Sequence, residues 1–192
     1  MTARRSALAL VLLVLLAEEP MHPYRMRELI KERGKDKVAN VAQRNSVYQT
    51  IDRLEREGLI RVRETLRSEG RPERTVYELT PTGTTTATTW LREMLSTPAA
   101  EYPDMPAALA SMLILTPEDV ATCLTTRRGL VEAEIAATEA EMGPLPRIFV
   151  LEDEYALALR RAEAEWLRSV VDDLRSGALW WDLSLVKGFA GP

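Results

Sequence analysis

The chain has 192 residues, of which 46% are hydrophobic and 28% are charged, with a net charge of −4. This balance is typical of a globular protein and excludes an intrinsically disordered chain. Its single cysteine, Cys123, excludes an internal disulfide and fits a reducing cytoplasm. The apolar residues around Cys123 favour a buried thiol.

The charges divide unevenly along the chain. Residues 1–80 hold 16 Lys and Arg against 12 Asp and Glu, a net charge of +4, whereas residues 81–192 hold 9 against 17, a net charge of −8. The basic first part suits a polyanionic partner, and the acidic second part favours contacts with protein.

The first helix is predicted over an apolar run at residues 6–17. Two arginines precede the run, as in a secretory signal, but it ends at two glutamates and Pro20 without a small-residue cleavage site. It is also too short to span a bilayer. We therefore expect a buried helix, a cytoplasmic protein and no membrane partner.

The second helix is predicted from Pro23 to about Arg33, where Gly34 ends it. His22, the only histidine, suits a helix cap or a packing position better than a metal site. The apolar side of this helix is predicted to hold Tyr24, Met26, Leu29 and Ile30.

A third, amphipathic helix is predicted to end at Gly58, because Val47, Ile51 and Leu54 recur at the spacing of one helical face. The opposite side carries residues that bond phosphates and base edges. We take the following as candidate DNA-binding residues: Arg44, Asn45, Ser46, Tyr48, Gln49 and Arg53.

Two strands, at residues 59–66 and 75–80, follow at once and are joined by a basic loop. Arg71 and Arg74 lie on or beside this loop and suit phosphate or minor-groove contacts. A helix followed by a basic β-hairpin predicts a winged helix-turn-helix.

Thr80 and Pro81 predict the start of a fourth helix, which runs to about Leu95. We expect a winged helix-turn-helix domain at residues 1–95, a Pro- and Ala-rich linker at 96–106 and a helical dimerisation and effector domain at 107–192. The predicted fold is therefore mainly α with a small β-hairpin.

The second domain is predicted to hold helices at residues 107–115, 117–142 and 152–175. The last helix carries a long apolar stripe, widened by Leu167 and Val171, that needs a partner surface on the preceding helix, on another subunit or on both. Homodimerisation is favoured. Trp180 and Trp181 are assigned either to that interface or to a ligand pocket. The stripe consists of Tyr155, Leu159, Ala162, Trp166, Val170 and Leu174.

Nothing in the sequence favours catalysis. It has no Gly-rich phosphate loop, no Cys/His cluster and no Ser/His/Asp set around its one histidine. We expect no catalytic residue, no cofactor and no metal.

The chain resembles the PadR family of bacterial transcriptional regulators. Five motifs carry the resemblance in the first half: His-Pro-Tyr at 22–24, Asn-Ser-Val-Tyr at 45–48, Leu-Glu-Arg-Glu-Gly-Leu-Ile at 54–60, Gly-Arg-Pro at 70–72 and Tyr-Glu-Leu-Thr-Pro at 77–81. Three more resemble the longer members: Ala-Ala-Leu-Ala at 107–110, Leu-Thr-Pro-Glu at 115–118 and Glu-Ala-Glu-Trp-Leu at 163–167. The chain departs from the family at Pro23, usually glycine, and at Glu73, often a base.

The resemblance implies a homodimer that represses from a palindromic double-stranded operator and releases it on binding a small, often aromatic, effector. It places Tyr48 on the recognition helix and Arg71 at the wing tip. Trp90 falls where some members stack an aromatic side chain on drugs, although a core role is equally open. Candidates for effector or dimer contacts are Trp90, Met94, Tyr155 and Trp166.

The leading hypothesis is therefore a ligand-responsive DNA-binding regulator that acts as a repressor. The alternative is a helical protein–protein interaction adaptor whose winged helix no longer functions. The apolar N-terminus and the acidic second half motivate that alternative.

Overall fold

The computed structural model describes residues 5–39, 44–66, 74–99 and 102–182. The chain divides into two compact units, Met1–Ala100 and Glu101–Pro192. Each unit has its own cluster of buried apolar side chains.

Helix α1 (Ala7–Glu18) forms the centre of the first unit. The side-chain oxygen of Ser6 accepts a hydrogen bond from the Ala9 N–H and so caps the helix. Its apolar residues face several neighbours at once, because α1 packs in one cluster with α2, α3 and α4. This burial explains a helix that is apolar all round. Among the described residues, no helix is long and apolar enough to cross a membrane.

Helix α2 (Pro23–Glu32) begins at His22, whose Nδ1 accepts the Tyr24 N–H at 3.0 Å. The capping role predicted for His22 is therefore confirmed. The placement of Tyr24 on the apolar side is wrong, since Tyr24 is 51% exposed. Its position in the first turn directs it away from the core that Met26, Leu29 and Ile30 fill.

Helix α3 (Arg44–Arg56) is anchored by Val47, Ile51 and Leu54, each at most 1% exposed. Gly58 ends it in the left-handed conformation, with φ of 70°. Strands β1 (Ile60–Leu66) and β2 (Arg74–Leu79) then pair antiparallel.

The hairpin has a register irregularity in its middle, and backbone hydrogen bonds join its base to the segment before α2. A register shift falls between Val62 and Glu64, so Arg63 is the extra residue of a β-bulge. At the base, Met21 and Tyr77 exchange two backbone hydrogen bonds, each 3.1 Å long. The segment before α2 thereby becomes a short third partner of the hairpin.

Helix α4 (Pro81–Ser96) begins at Thr80, whose Oγ1 accepts the Gly83 N–H at 3.0 Å. The run of β-branched threonines is helical because its hydroxyls find partners within the helix. The side chains of Thr84, Thr85, Thr88 and Thr89 each donate to the carbonyl four residues earlier.

The second unit consists of α5 (Asp104–Ser111), α6 (Pro117–Glu141) and α7 (Leu151–Ser176). Helix α5 starts three residues before the predicted Ala107, within the predicted linker. Pro106 is tolerated there because the first-turn N–H groups have no partner within the helix. Helix α5 also ends earlier than predicted, at Ser111, before a 3-10 turn at Met112–Ile114.

Helices α6 and α7 pack against each other through Val120, Leu124, Leu167 and Val171. The predicted stripe of α7 is therefore not one surface. Leu174 is buried in this cluster and Val170 packs against it. The remaining members stay exposed within the chain: Tyr155, Leu159, Ala162 and Trp166.

Two further predictions concern single side chains of the second unit. Trp181 is 4% exposed and its indole N–H donates to the Leu115 carbonyl at 2.9 Å, whereas Trp180 is exposed. Burial of Cys123 is wrong, because its side chain is exposed in the chain. It lies outside the contact face that α6 forms with α7.

Candidate nucleic-acid interface

The exposed side of α3 holds the candidate groove-reading residues. Gln49 is exposed, and Ser46 and Tyr48 are half-buried at the two flanks of the helix. The Thr50 hydroxyl donates to the Ser46 carbonyl at 2.7 Å. Arg44 and Asn45 form the first turn, but their side chains lie outside the part that the structure describes.

The charges of α3 differ between its two halves. Residues 44–51 contain no acid, whereas Asp52 and Glu55 lie in the second half and Glu57 follows it. A polyanion is therefore repelled only at the C-terminal end. Helix-turn-helix proteins present the N-terminal residues of the recognition helix to base edges.

Arg53 does not share the open surface of Gln49. Its side chain is half-buried, and one guanidinium nitrogen lies 3.5 Å from the Ser6 hydroxyl. Arg53 and Arg56 line a cavity that also contacts Trp90. Sequence periodicity predicts Arg53 on the outer side of α3, whereas the packing of α1 and α4 places it on the flank that faces them.

The hairpin presents a second basic surface. Arg74 is exposed at the start of β2, while Arg71 lies outside the described residues. Arg63, exposed at the bulge, is a basic position absent from our candidate set. Arg61 is less available, since its Nε donates to Glu78 at 2.7 Å.

Electrostatics tie the hairpin base to the helices beside it. Burial lowers the pKa of His22, and the cation of Arg74 lowers it further. Burial raises the pKa of Tyr77, with added contributions from Glu55 and Asp52. The wing base therefore lies within electrostatic reach of both α2 and α3.

The four candidates for effector or dimer contacts differ in exposure. Trp90 is buried in the core of the first unit, at 6% exposure, and also lines the cavity. Met94 is exposed on the same helix. Tyr155 and Trp166 are exposed on α7 in the second unit.

Within the described ranges, no group of three or more His, Cys, Asp or Glu side chains could hold a metal ion.

The chain resembles known proteins both in sequence and in fold. Residues 11–89 match the sequence model described as the transcriptional regulator PadR-like family. No curated protein matches the chain in sequence.

Solved structures resemble most of the chain. Bacillus subtilis PadR in complex with operator DNA has a TM-score of 0.69 at 18% identity, covering 88% of this chain and 99% of that one. The same protein in complex with p-coumaric acid gives the same values. The Vibrio cholerae virulence activator AphA has a TM-score of 0.63 at 18% identity, covering 88% and 98%.

The family match begins within α1 and ends within α4, so it includes α3, both strands of the hairpin and the cap at Thr80. Residues 11–89 therefore match the PadR-like family of transcriptional regulators, and the chain shares the winged-helix fold of the solved PadR structure.

Proposed function

We propose that the protein is a ligand-responsive repressor that binds a palindromic operator as a homodimer and catalyses no reaction. The observation that carries the proposal is the first half of α3. That half is free of acids, exposes Gln49 and is held rigidly by a buried face, immediately before a basic hairpin. A rigid helix of this kind can place polar side chains in a major groove at a fixed depth.

The two basic elements have different roles in this proposal. Gln49, Asn45 and Arg44 read base edges, because an amide pairs with adenine and a guanidinium with guanine. Tyr48 and Ser46, on the flanks, bond phosphates and fix the register. Arg71 and Arg74 hold the wing against the neighbouring backbone or minor groove.

Dimerisation is assigned to the exposed stripe of α7. Tyr155, Leu159, Ala162 and Trp166 follow one another at steps of four, three and four residues, and all four are exposed within the chain. Such a stripe is the pattern that a partner helix covers. Two subunits related by a twofold axis would read the two halves of a palindrome.

The response to a small molecule and the sign of regulation complete the proposal. The Bacillus subtilis relative was solved with p-coumaric acid, which supports an aromatic effector here. The Vibrio cholerae relative is named an activator, so a transcription assay must allow for both signs. We propose repression, with the effector releasing the operator.

The test is a gel-shift titration on DNA from upstream of the protein's own gene, with excess random competitor at two salt concentrations. Gln49→Ala should lower the preference for operator over random DNA by about 1–3 kcal/mol. Arg74→Ala should reduce the slope of log K against log salt by about one unit, because one phosphate contact is lost.

Arg168→Ala is the matched control, since Arg168 is an exposed arginine of the second unit. It should leave the salt slope unchanged. Unaltered operator binding by Gln49→Ala and Arg74→Ala, or wild-type binding that random DNA abolishes, would refute this DNA interface.

A further inference from the structure

The second unit has an open groove between α5 and the first half of α6, with a volume of about 420 Å³. Helix α5 and the 3-10 turn after it form one wall, and α6 forms the other. Most of the lining is apolar and includes Met105, Met112, Ile114, Leu115 and Leu124. A groove of this size and lining is typical of a surface that binds another apolar group.

Several side chains of this groove are open to solvent. Ile114 is 76% exposed and Leu115 is 44% exposed, at the end of the groove that leads into α6. On the α6 wall, the thiol-bearing Cys123 is also exposed, whereas Leu124 beside it is buried. Contact with another apolar group would remove this hydrocarbon surface from water, which is favourable.

The groove offers no unpaired charge to an occupant. Among the described residues that line it, Arg127 is the charged one. Its Nε donates to Glu163 at 2.7 Å, and a terminal guanidinium nitrogen lies 2.6 Å from the same carboxylate oxygen. Glu163 therefore offsets the charge of Arg127. An uncharged, apolar occupant fits this lining, because it would leave no charge buried without a partner.

The chain itself passes the end of the groove after α7. Gly177 ends that helix in the left-handed conformation, with φ of 78°, and the chain turns back. The indole N–H of Trp181 then donates to the Leu115 carbonyl at 2.9 Å. Trp181 is buried in the same cluster as Val120 and Leu124, which also line the groove. The residues that follow Trp181 therefore start beside the groove.

Those following residues have the composition that the groove requires. Residues 183–192 lie outside the described residues, and their sequence begins with Leu-Ser-Leu-Val at 183–186. The first charge of this segment is Lys187. Leu183 is two residues beyond Trp181, so the chain can place it within about 7 Å of that anchor. An uncharged, leucine-rich segment therefore begins at the mouth of an uncharged, apolar groove.

We propose that residues 183–186 of the same chain cover the groove between α5 and α6, with Leu183 and Leu185 as the side chains that fill it. In an extended segment alternate side chains face the same side, so Leu183 and Leu185 enter the groove and Ser184 faces away. The cover shields the thiol of Cys123, which lines the groove on α6. This contact lies within the second unit and does not depend on DNA binding.

The first experiment measures the alkylation rate of Cys123 by N-ethylmaleimide, a neutral probe, on the full chain. Cys123 is the single cysteine, so the modified mass reports on the groove alone. Leu183→Asn combined with Leu185→Asn should speed alkylation about tenfold, because burial of even one leucine favours the covered state by about that factor. Ser184→Asn is the matched control and should react at the wild-type rate.

A second experiment identifies which chain supplies the cover. Leu185→Cys should form a disulfide with Cys123 on mild oxidation, because a leucine that enters the groove brings the two Cα atoms within about 7 Å. The product should migrate as a single chain on a non-reducing denaturing gel. Ser184→Cys, which faces away, should cross-link more slowly. Thermal melts check that each variant is folded.

Three results would overturn the proposal. Wild-type alkylation as fast as that of the urea-unfolded chain would show that the groove is open. Equal, slow alkylation of wild type and the double asparagine variant would assign the cover to a different surface. Disulfide-linked dimers of Leu185→Cys would assign the groove to a second copy of the chain. The cross-link also keeps the test decisive if the double asparagine variant does not fold, because Leu185→Cys retains Leu183.

Discussion

Gly83→Ala should destabilise the first unit, although alanine is normally the better helix former. A Cβ at position 83 would overlap the Leu59 carbonyl oxygen and would lie 2.8 Å from Leu79 Cδ1 and 3.0 Å from the Leu59 carbonyl carbon. Two of these three atoms are backbone, so a side-chain rotation cannot relieve the contact. The first turn of α4 must move away from Leu59 by about 1 Å to reach a tolerable distance.

That movement breaks specific bonds. The backbone N–H of Thr80 donates to the Leu59 oxygen at 3.1 Å, and the Thr80 hydroxyl lies 3.0 Å from the same oxygen. Losing the backbone bond costs about 1 kcal/mol, whereas the hydroxyl keeps its 2.8 Å bond to the Gly58 oxygen, and overpacking adds about 1–3 kcal/mol. The helix propensity of alanine returns up to about 1 kcal/mol. We expect the free energy of unfolding to fall by about 1–3 kcal/mol.

The assay is urea denaturation at fixed protein concentration, with hydrogen exchange of α1 amides as the readout specific to the first unit. Gly129→Ala is the control, because Gly129 lies within α6, has no positive φ and would bring its Cβ within 4 Å of nothing. That variant should gain about 0.5–1 kcal/mol. If Gly83→Ala is as stable as wild type, the close approach of α4 to the Gly58 turn is wrong.

Three other predictions concern a histidine, a cap and the proposed dimer. Because the pKa of folded His22 is lowered, its contribution to stability is full above the unfolded pKa near 6.5 and is lost as the pH falls through the lowered, folded-state pKa. His22→Asn keeps a capping acceptor, so it should flatten the pH dependence of stability in thermal melts between pH 7.5 and 5. Thr116→Ala removes the capping box with Asp119 and should cost about 1 kcal/mol in urea denaturation, and an unchanged midpoint would contradict the cap. Trp166→Glu should halve the mass in sedimentation while leaving each chain folded, whereas Arg168→Glu, two residues further along α7, should not.

Local interactions explain why so much of the fold is predictable from sequence. Thr80 and Thr116 cap helices through bonds to residues three positions away, and Gly58 ends α3 through its own backbone conformation. The buried face of α3 follows from the spacing of Val47, Ile51 and Leu54, which is a property of one helix. These features depend on neighbours in sequence and not on distant packing.

The candidate interface is predictable only in part, because some of its features depend on packing between residues that are distant in the sequence. The acid-free half of α3 is visible in the sequence, but the direction of Arg53 depends on where α1 and α4 pack. Arg63 is a basic residue of the hairpin surface because the register of the two strands shifts at that residue. Cooperative pairing across two strands decided that slip, and alternation along one strand does not reveal it.

The sequence alone determined the order of elements, their caps and the winged-helix character of the first half, because short-range hydrogen bonds and periodicity encode them. Tertiary packing alone decided which residues of the α7 stripe are covered by α6, and it left Tyr155, Leu159 and Trp166 exposed. Packing also formed the cavity between α3 and α4. An amphipathic pattern specifies that an apolar face must be buried, but only the geometry of the neighbouring elements determines which surface covers that face.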